Sequence, residues 1–351
     1  MIARVSVIIP TYRRPLLLQR AIASVLQQTF RDFRACVFDN ASGDETATVV
    51  AAASSQDARV EYNVQPENVG AFDNFVSGMQ QVDTEFFSFL SDDDVLFPAF
   101  LATAVRELDR HPNAMMFAGS TLEFSDSGTV QYAPVARWPR EGQYDPPEAV
   151  WHMLGNRHPT WTSILFRRAV IDRVGLLDKQ AGAPCDLDYE LQVAAHFPIV
   201  ISFELCAAYV RHAQAVSQRE DTSVIAGYQH IAEKFRADAA LTPKVRNDIA
   251  DAIERQLRLK LAEIAVKSVV RGDDRVACDA LRLLKKYRPT PLGVLARATL
   301  PIAMTVPLAR GMLAAAETVR LQLRAAHAQR LTARRSGTGV LQALADPHKA
   351  S

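Results

Sequence analysis

The feature that most constrains this chain is the alternation of strand-like and helix-like segments through its first 110 residues. Val5-Ser6-Val7-Ile8-Ile9 is a run rich in β-branched residues, as expected of a strand covered on both faces. Pro15 suits a first helical turn, and Leu17, Leu18, Ala21, Ile22, Val25 and Leu26 repeat at helical spacing behind it. Phe33 to Phe38 forms a second strand, and a helix runs through Val49 and Val50. Val60-Glu61-Tyr62 is a third strand, with Phe72, Phe75, Val76 and Met79 marking the next helix. Phe86 to Leu90 is a fourth strand, and Pro98 opens a helix through Val105 and Leu108. This order predicts an α/β fold, a mostly parallel sheet covered by helices. Ligands gather outside the carboxyl ends of such strands. Three polar clusters fall there: Pro10-Thr11-Tyr12-Arg13, Asp39 to Asp44, and Asp92-Asp93-Asp94.

After residue 113 the texture changes. Met115-Met116-Phe117, a hairpin near Ser125 to Gly128, and Ser163 to Phe166 read as mixed, partly antiparallel sheet. Arg137 to Pro159, with four prolines, reads as an irregular excursion over one face, and long loops inside compact domains usually carry function. Beyond about residue 220 the strand signals stop. Thr242-Pro243 starts a helix that keeps its period through Val245, Ile249, Ile253, Leu257, Leu261 and Ile264 and stops at Gly272. A further helix covers Val276 to Tyr287. These changes of texture divide the chain into an α/β domain, 1–218, with halves 1–113 and 114–218, and a helical C-terminal region, 219–351.

The formal net charge of +1 points away from nucleic acid as a partner. It hides an asymmetry: from Arg271 to Ser351 there are fourteen Lys/Arg against five Asp/Glu, whereas the preceding residues carry 26 against 34. Cys36, Cys185, Cys206 and Cys278 show no paired spacing, which suits buried thiols of a reducing compartment. The N-terminus runs directly into a strand without signal-peptide architecture, so a cytoplasmic location is expected.

The acidic triplet directly follows the apolar strand Phe86 to Leu90. Mg²⁺ and Mn²⁺ prefer hard oxygen ligands, usually one or two carboxylates plus phosphate oxygens and water. Three adjacent carboxylates repel one another and are costly without a cation. Capping of the next helix explains at most one of them.

Several segments together resemble family 2 glycosyltransferases in order and spacing. They are Val5 to Arg13, Asp39 to Asp44, Asn68-Val69-Gly70 with Asn74, Leu90 to Pro98, Ser163 to Arg168 followed by Val174 to Asp178, Asp188-Tyr189-Glu190-Leu191, and Tyr209-Val210-Arg211-His212 with Ser217. The resemblance covers roughly residues 3 to 218. It implies a GT-A fold (Rossmann-like, with a mixed sheet) and an inverting transfer from a nucleotide-diphosphate sugar to a glycan or lipid-linked acceptor, in surface polysaccharide or glycolipid synthesis. It implies that Pro10, Thr11, Tyr12 and Arg13 line the nucleotide pocket, with Tyr12 available to stack on the base. Asp39 then accepts a hydrogen bond from the base, Asp92 faces the ribose, and Asn40, Ser42, Asn68, Gly70 and Asn74 complete the donor site. Asp93 ligates Mn²⁺ or Mg²⁺, with Asp94 and His212 as further candidates. Asp188 is the general base and Asp186 its rival, while Trp161 and Trp151 offer an apolar platform for an acceptor sugar. Two positions depart from the family pattern. Ser91 stands where Asp is frequent, and Asp73 stands where an Arg often precedes the residue matching Asn74, leaving Arg13 as a substitute cation.

Two other classes would show different residues. A non-catalytic binding protein on the same fold would be favoured by loss of Asp93 or Asp188, and both are present. A nucleotidyltransferase would ordinarily carry a Gly-rich loop after the first strand, where this chain has Pro10-Thr11-Tyr12-Arg13. In residues 289–335 the uninterrupted apolar stretch Ala298 to Ala309 is twelve residues, short of the roughly 20 that span a bilayer. With Arg320, Arg324, Arg330, Arg334 and Arg335 behind it, this segment suits peripheral attachment to the inner face of an anionic membrane. It suits equally a helix packed on its own catalytic domain or on a second copy in a homo-oligomer.

Overall fold

The computed structural model describes residues 3–125, 135–211, 224–287 and 291–335. Its first half alternates strands and helices: β1 (Val5–Thr11), α1 (Pro15–Leu26), β2 (Phe33–Asp39), α2 (Thr46–Gln56), β3 (Val60–Val64), α3 (Ala71–Gln80), β4 (Phe86–Phe89), β5 (Val95–Leu96) and α4 (Phe100–Arg110). Next come β6 (Met116–Ser125), β7 (Gly142–Tyr144), α5 (Glu148–His152), β8 (Ile164–Arg167), α6 (Ala169–Val174), α7 (Cys185–His196) and β9 (Ile199–Arg211). Helices complete the described chain: α8 (Val224–Ala237), α9 (Pro243–Arg271), α10 (Asp274–Leu284), α11 (Pro291–Thr305) and α12 (Pro307–Arg335).

The nine strands form one sheet in the order β3-β2-β1-β4-β8-β6-β9-β5, with β7 beside β9. β3, β2, β1 and β4 are mutually parallel, as the alternation predicts. β8 is antiparallel to both β4 and β6, while β6 and β9 are parallel. Residue alternation along β1 separates two apolar layers. Val5, Val7 and Ile9 join α1, α2 and α4 on one side, whereas Ile8 packs with Met79 of α3 and with α7, α8 and α9 on the other. On that second side Trp161 stacks on Phe89, with ring centroids 4.8 Å apart, and Phe166 stacks on Phe87 at 5.2 Å. Such pairs add about 0.5–1.5 kcal/mol each beyond the area they bury.

Sequence and structure part in places. α9 has the expected ends, with the Thr242 hydroxyl accepting from the Val245 N–H and Gly272 left-handed at φ +84°. α10 stops at Leu284, one turn before Tyr287. The short strands β5 and β7 carry no sequence signal of their own; both exist by pairing with β9. Ser125 ends β6, and the turn expected after it lies outside the described residues. The helices after residue 224 do not form a core apart. Ile231, Phe235, Ile253 and Leu257 belong to the same buried cluster as Ile8 and Phe38 of the sheet. Among the described residues no helix is long and apolar enough to cross a membrane.

Gly78 shows how tightly α3 is pressed onto the sheet, since a Cβ built there lies 2.4 Å from Ile8 Cγ2. Gly78→Val therefore should destabilise the fold by about 1–3 kcal/mol, the range for overpacking a filled core. The readout is a lower urea midpoint with an unchanged slope.

Candidate active site

Parallel pairing brings the carboxyl ends of three strands together. Thr11, the last residue of β1, is in register with Asp39, the last of β2, and β4 runs beside β1 into the acidic triplet. Thr11, Asp39, Asn40, Ser42, Asn74, Asp92, Asp93 and Asp94 are all buried. Buried polar groups are costly unless hydrogen-bonded, and nearly every atom of this edge has a partner. Asp39 Oδ1 accepts from the Ser42 N–H at 3.0 Å and from its hydroxyl at 2.5 Å, and Asp39 Oδ2 accepts from the Tyr62 hydroxyl at 2.6 Å. Burial, first, and then this bond to a carboxylate push the Tyr62 phenol upward.

The polar Asn residues hold loops. Asn40 donates to Asn68 Oδ1 at 3.0 Å and accepts from the Val69 N–H at 2.9 Å. Asn68 Oδ1 also accepts from the N–H of Gly70, whose φ of +88° opens α3. Asn74 donates to the Phe38 carbonyl at 2.8 Å. Arg13 and Ala41 adopt left-handed backbone at φ +54° and +57°, conformations that persist in non-glycine residues only where the surroundings over-determine them. Arg13 supplies the constraint: its N–H donates to the Ser42 hydroxyl and its Nε to the Ser42 carbonyl, at 2.8 and 3.1 Å. Tyr12 is left more than one-third exposed, with the Arg13 guanidinium 5.2 Å from its ring centre.

The cation of the edge is Arg14, not Arg13. Its Nη1 lies 3.1 Å from Asp92 Oδ1 and 3.0 Å from Asp93 Oδ2. Asp92 Oδ2 accepts from the Thr11 hydroxyl at 2.8 Å, and Arg20 donates to the Asp93 carbonyl at 2.5 Å. Burial raises Asp92, while Thr11 and Arg14 pull it back. Asp94 differs in kind. Its Oδ2 accepts from Thr162 and its Oδ1 accepts from the Val210 N–H at 3.0 Å, tying the triplet to the turn before β8 and to β9. Burial pushes its carboxyl up to about 7. Both oxygens of Asp94 thus face protein donors, and the side chain acts as a strut between the triplet, the turn before β8 and β9. His212 lies outside the described residues.

Two adjacent carboxylates of hard oxygen donors, sharing one guanidinium, fit Mg²⁺ or Mn²⁺ held jointly with a diphosphate. Among the described residues no group of three acidic, His or Cys side chains converges into a closed cage. Asp73, where an Arg was expected, pairs with Lys179 at 2.6 Å.

Asp188 lies inside α7 rather than at its cap, with 1% of its surface exposed. Its Oδ2 lies 2.7 Å from Lys234 Nζ of α8, a residue the sequence reading passed over because it sits in the helical region. Burial raises Asp188, and the Lys234 charge lowers it. Asp186 is half-buried and accepts from the Leu187 N–H at 2.7 Å. Glu190, one turn on, is fully buried, and burial raises it well above the usual carboxylate range. Trp161 is held edge-on to Tyr189 and stacked on Phe89, an ordered wall beside α7, while Trp151 is exposed on α5.

Residues 6–175 match the model of the family described as glycosyl transferase family 2. Over 105 residues the chain is 37% identical to the GalNAc(5)-diNAcBac-PP-undecaprenol beta-1,3-glucosyltransferase of Campylobacter jejuni, covering 30% of this chain and 34% of that protein. It is 32% identical over 111 residues to the succinoglycan biosynthesis protein ExoW of Rhizobium meliloti, covering 31% and 35%. The chain therefore aligns with about a third of the length of these curated relatives. Its fold is similar to S. aureus TarS 1-349 in complex with UDP-GlcNAc, with TM-score 0.64, 16% identity, and 86% and 87% of the two chains covered. It is also similar to the mannosyltransferase PcManGT of Pyrobaculum calidifontis in complex with GDP-Man and Mn²⁺, with TM-score 0.51, 17% identity, and 92% and 86% covered. The mixed sheet is of the GT-A type, and residues 6–175, just under half of the chain, match glycosyl transferase family 2.

Proposed function

We propose that this protein is an inverting glycosyltransferase that moves a sugar from a nucleoside-diphosphate donor to a hydroxyl of a glycan or lipid-linked acceptor. The observation that carries the reading is the convergence of Thr11, Asp39, Asp92 and Asp93 at the carboxyl edge of one sheet. Tyr12 offers a face for the base. Asp39 uses three hydrogen bonds of the roughly four lone-pair sites a carboxylate has, which leaves capacity for a base N–H. Asp92 borders the ribose. Asp93, with Arg14 displaced, would hold the metal, which when bound neutralises charge on the departing diphosphate as a Lewis acid.

The acceptor hydroxyl attacks the anomeric carbon from the face opposite the leaving group, and Asp188 takes its proton. A well-placed base contributes roughly 10²- to 10⁴-fold. The acceptor class follows the relative whose name carries a PP-undecaprenol, and the pathway class follows the succinoglycan relative.

A lipid-linked acceptor is met at a membrane, and α11 and α12 present a surface for one. Val294, Leu295, Ile302, Leu308, Met312, Val319 and Leu323 are exposed there. Residues 291–335 hold seven Arg and a single acidic residue, Glu317. Apolar exposure with excess positive charge fits the anionic inner face of a bacterial plasma membrane. We place the protein there, in the cytoplasm, building cell-envelope polysaccharide or glycolipid.

Three outcomes are expected. Asp93→Ala should abolish Mn²⁺-dependent nucleotide binding in calorimetry, whereas Asp94→Asn should retain it, because the amide can still accept from Val210 and meet Thr162; equal losses would return Asp94 to the metal. Asp188→Asn should bind donor normally and lose transfer by about 10²-fold or more, measured against UDP- and GDP-sugars; near-normal turnover would move the base to Asp186. Removal of residues 291–351 should release the protein from vesicles containing anionic lipid without changing its sedimentation coefficient beyond the mass lost. A full-length dimer that ignores vesicles would instead make this face a self-association surface.

A further inference from the structure

Helix α8 lies outside the residues that match the family model, yet it carries the group closest to the proposed base. Gly227, His230 and Lys234 recur at spacings of three and four, which places them on one face of α8. That face is pressed onto the segment leading into α7. A Cβ at Gly227 would lie 2.0 Å from the Ala181 carbonyl oxygen and 3.0 Å from Pro184 Cδ. One turn on, His230 Nε2 lies 2.8 Å from Asp178 Oδ2. Lys234 Nζ then reaches Asp188 Oδ2 at 2.7 Å and Asp178 Oδ2 at 3.4 Å. Two carboxylates from the turn before α7 and from α7 itself thus meet two basic groups from α8.

We propose that Lys234 is a positioning residue of the transfer reaction: from α8 its ammonium grips Oδ2 of Asp188 and turns Oδ1 toward the acceptor hydroxyl. The inference rests on Asp188 being the base. Three observations support it. The Asp188 side chain is 2% exposed, and a carboxylate so buried without a cation would be driven to its neutral form. Its Oδ1 has no hydrogen-bond partner among the described residues, so one oxygen is anchored and the other keeps its lone pairs. Finally, Lys234 and His230, both from α8, lower Asp188, set against burial and Asp178, which raise it. The other helices packed on α7 direct their charges elsewhere: Glu148 of α5 to Arg140, and Asp172 of α6 to Arg168.

In the reaction the acceptor O–H proton passes to Oδ1 while its oxygen bonds the anomeric carbon. The bond from that carbon to the diphosphate oxygen breaks, its electron pair leaving on the diphosphate. Lys234 takes no part in the proton transfer and stabilises the carboxylate before it.

The sign of the pH effect follows. Burial raises Asp188 and the ammonium lowers it, so removing the ammonium moves the acidic limb of kcat against pH upward. Lys234→Met should lower kcat at neutral pH by less than the roughly 10²- to 10⁴-fold loss of a missing base, and raising the pH should restore it. The KM for donor and donor affinity by calorimetry should not change. Lys234→Arg, which keeps the charge, should leave the limb near its original position. Gly227→Ala, which lifts α8 with Lys234 intact, should reproduce the upward shift. A Lys234→Met enzyme that is folded by circular dichroism and slowed equally at every pH would show a merely structural contact and overturn the proposal. Asp188→Asn measured alongside separates the two readings. If it turns over normally, the base assignment fails; if it is inactive and the limb of Lys234→Met stays put, only the role of Lys234 fails.

Discussion

The parallel pairing of β1 with β2 and β4 delivers carboxylates to one buried edge, and the guanidinium of Arg14 makes that edge tolerable. Its Nη1 contacts Asp92 and Asp93 at once. Without a cation between them, two adjacent buried carboxylates would repel each other and one would be driven to its neutral form. Everything else at the site is arranged around this pair. Thr11 fixes the second oxygen of Asp92, Arg20 caps the backbone at Asp93, and Asp94 turns away to anchor β9. An incoming divalent cation would meet a site already organised for positive charge, with the Arg14 guanidinium as the group to displace.

The same logic of paired burial organises the acceptor side. Asp188 is as buried as the acidic triplet, and Lys234 is its cation, from a helix 46 residues further along the chain. The helical region is therefore joined to the catalytic half by charge as well as by packing. Ile231 and Phe235 of α8 share the cluster beneath the sheet, and α9 continues it. A boundary near residue 218 describes a change of sequence texture, whereas the apolar core runs through it.

How much was legible follows from the range over which each signal acts. Helices and parallel strands announce themselves through spacings of two to four residues, so β1 to β4 and α1 to α4 stand close to where their periodicity puts them. β5, β7 and the first part of β9 were not legible, because short strands are defined by their partners. Most carboxylates and hydroxyls of this edge are legible in the sequence, since three polar clusters at strand ends are local features, whereas Arg14, Arg20 and Tyr62 are not. Their roles were less accessible. Arg13, one candidate to stand in for the missing family Arg, has a left-handed backbone and bonds Ser42. Asn40, Asn68 and Asn74 hold one another and the chain through bonds that no local pattern announces.

By itself the sequence determined the architecture of the first half, the edge of the sheet at which chemistry gathers, and the family motifs that name Asp93 and Asp188. Only the tertiary structure decided which partner serves each carboxylate. Arg14 meets Asp93 across 79 positions, Val210 meets Asp94 across 116, and Lys234 meets Asp188 across 46. No local period encodes such pairings. They are set by sheet register and by how closely α8 can approach, at Gly227, the turn before α7.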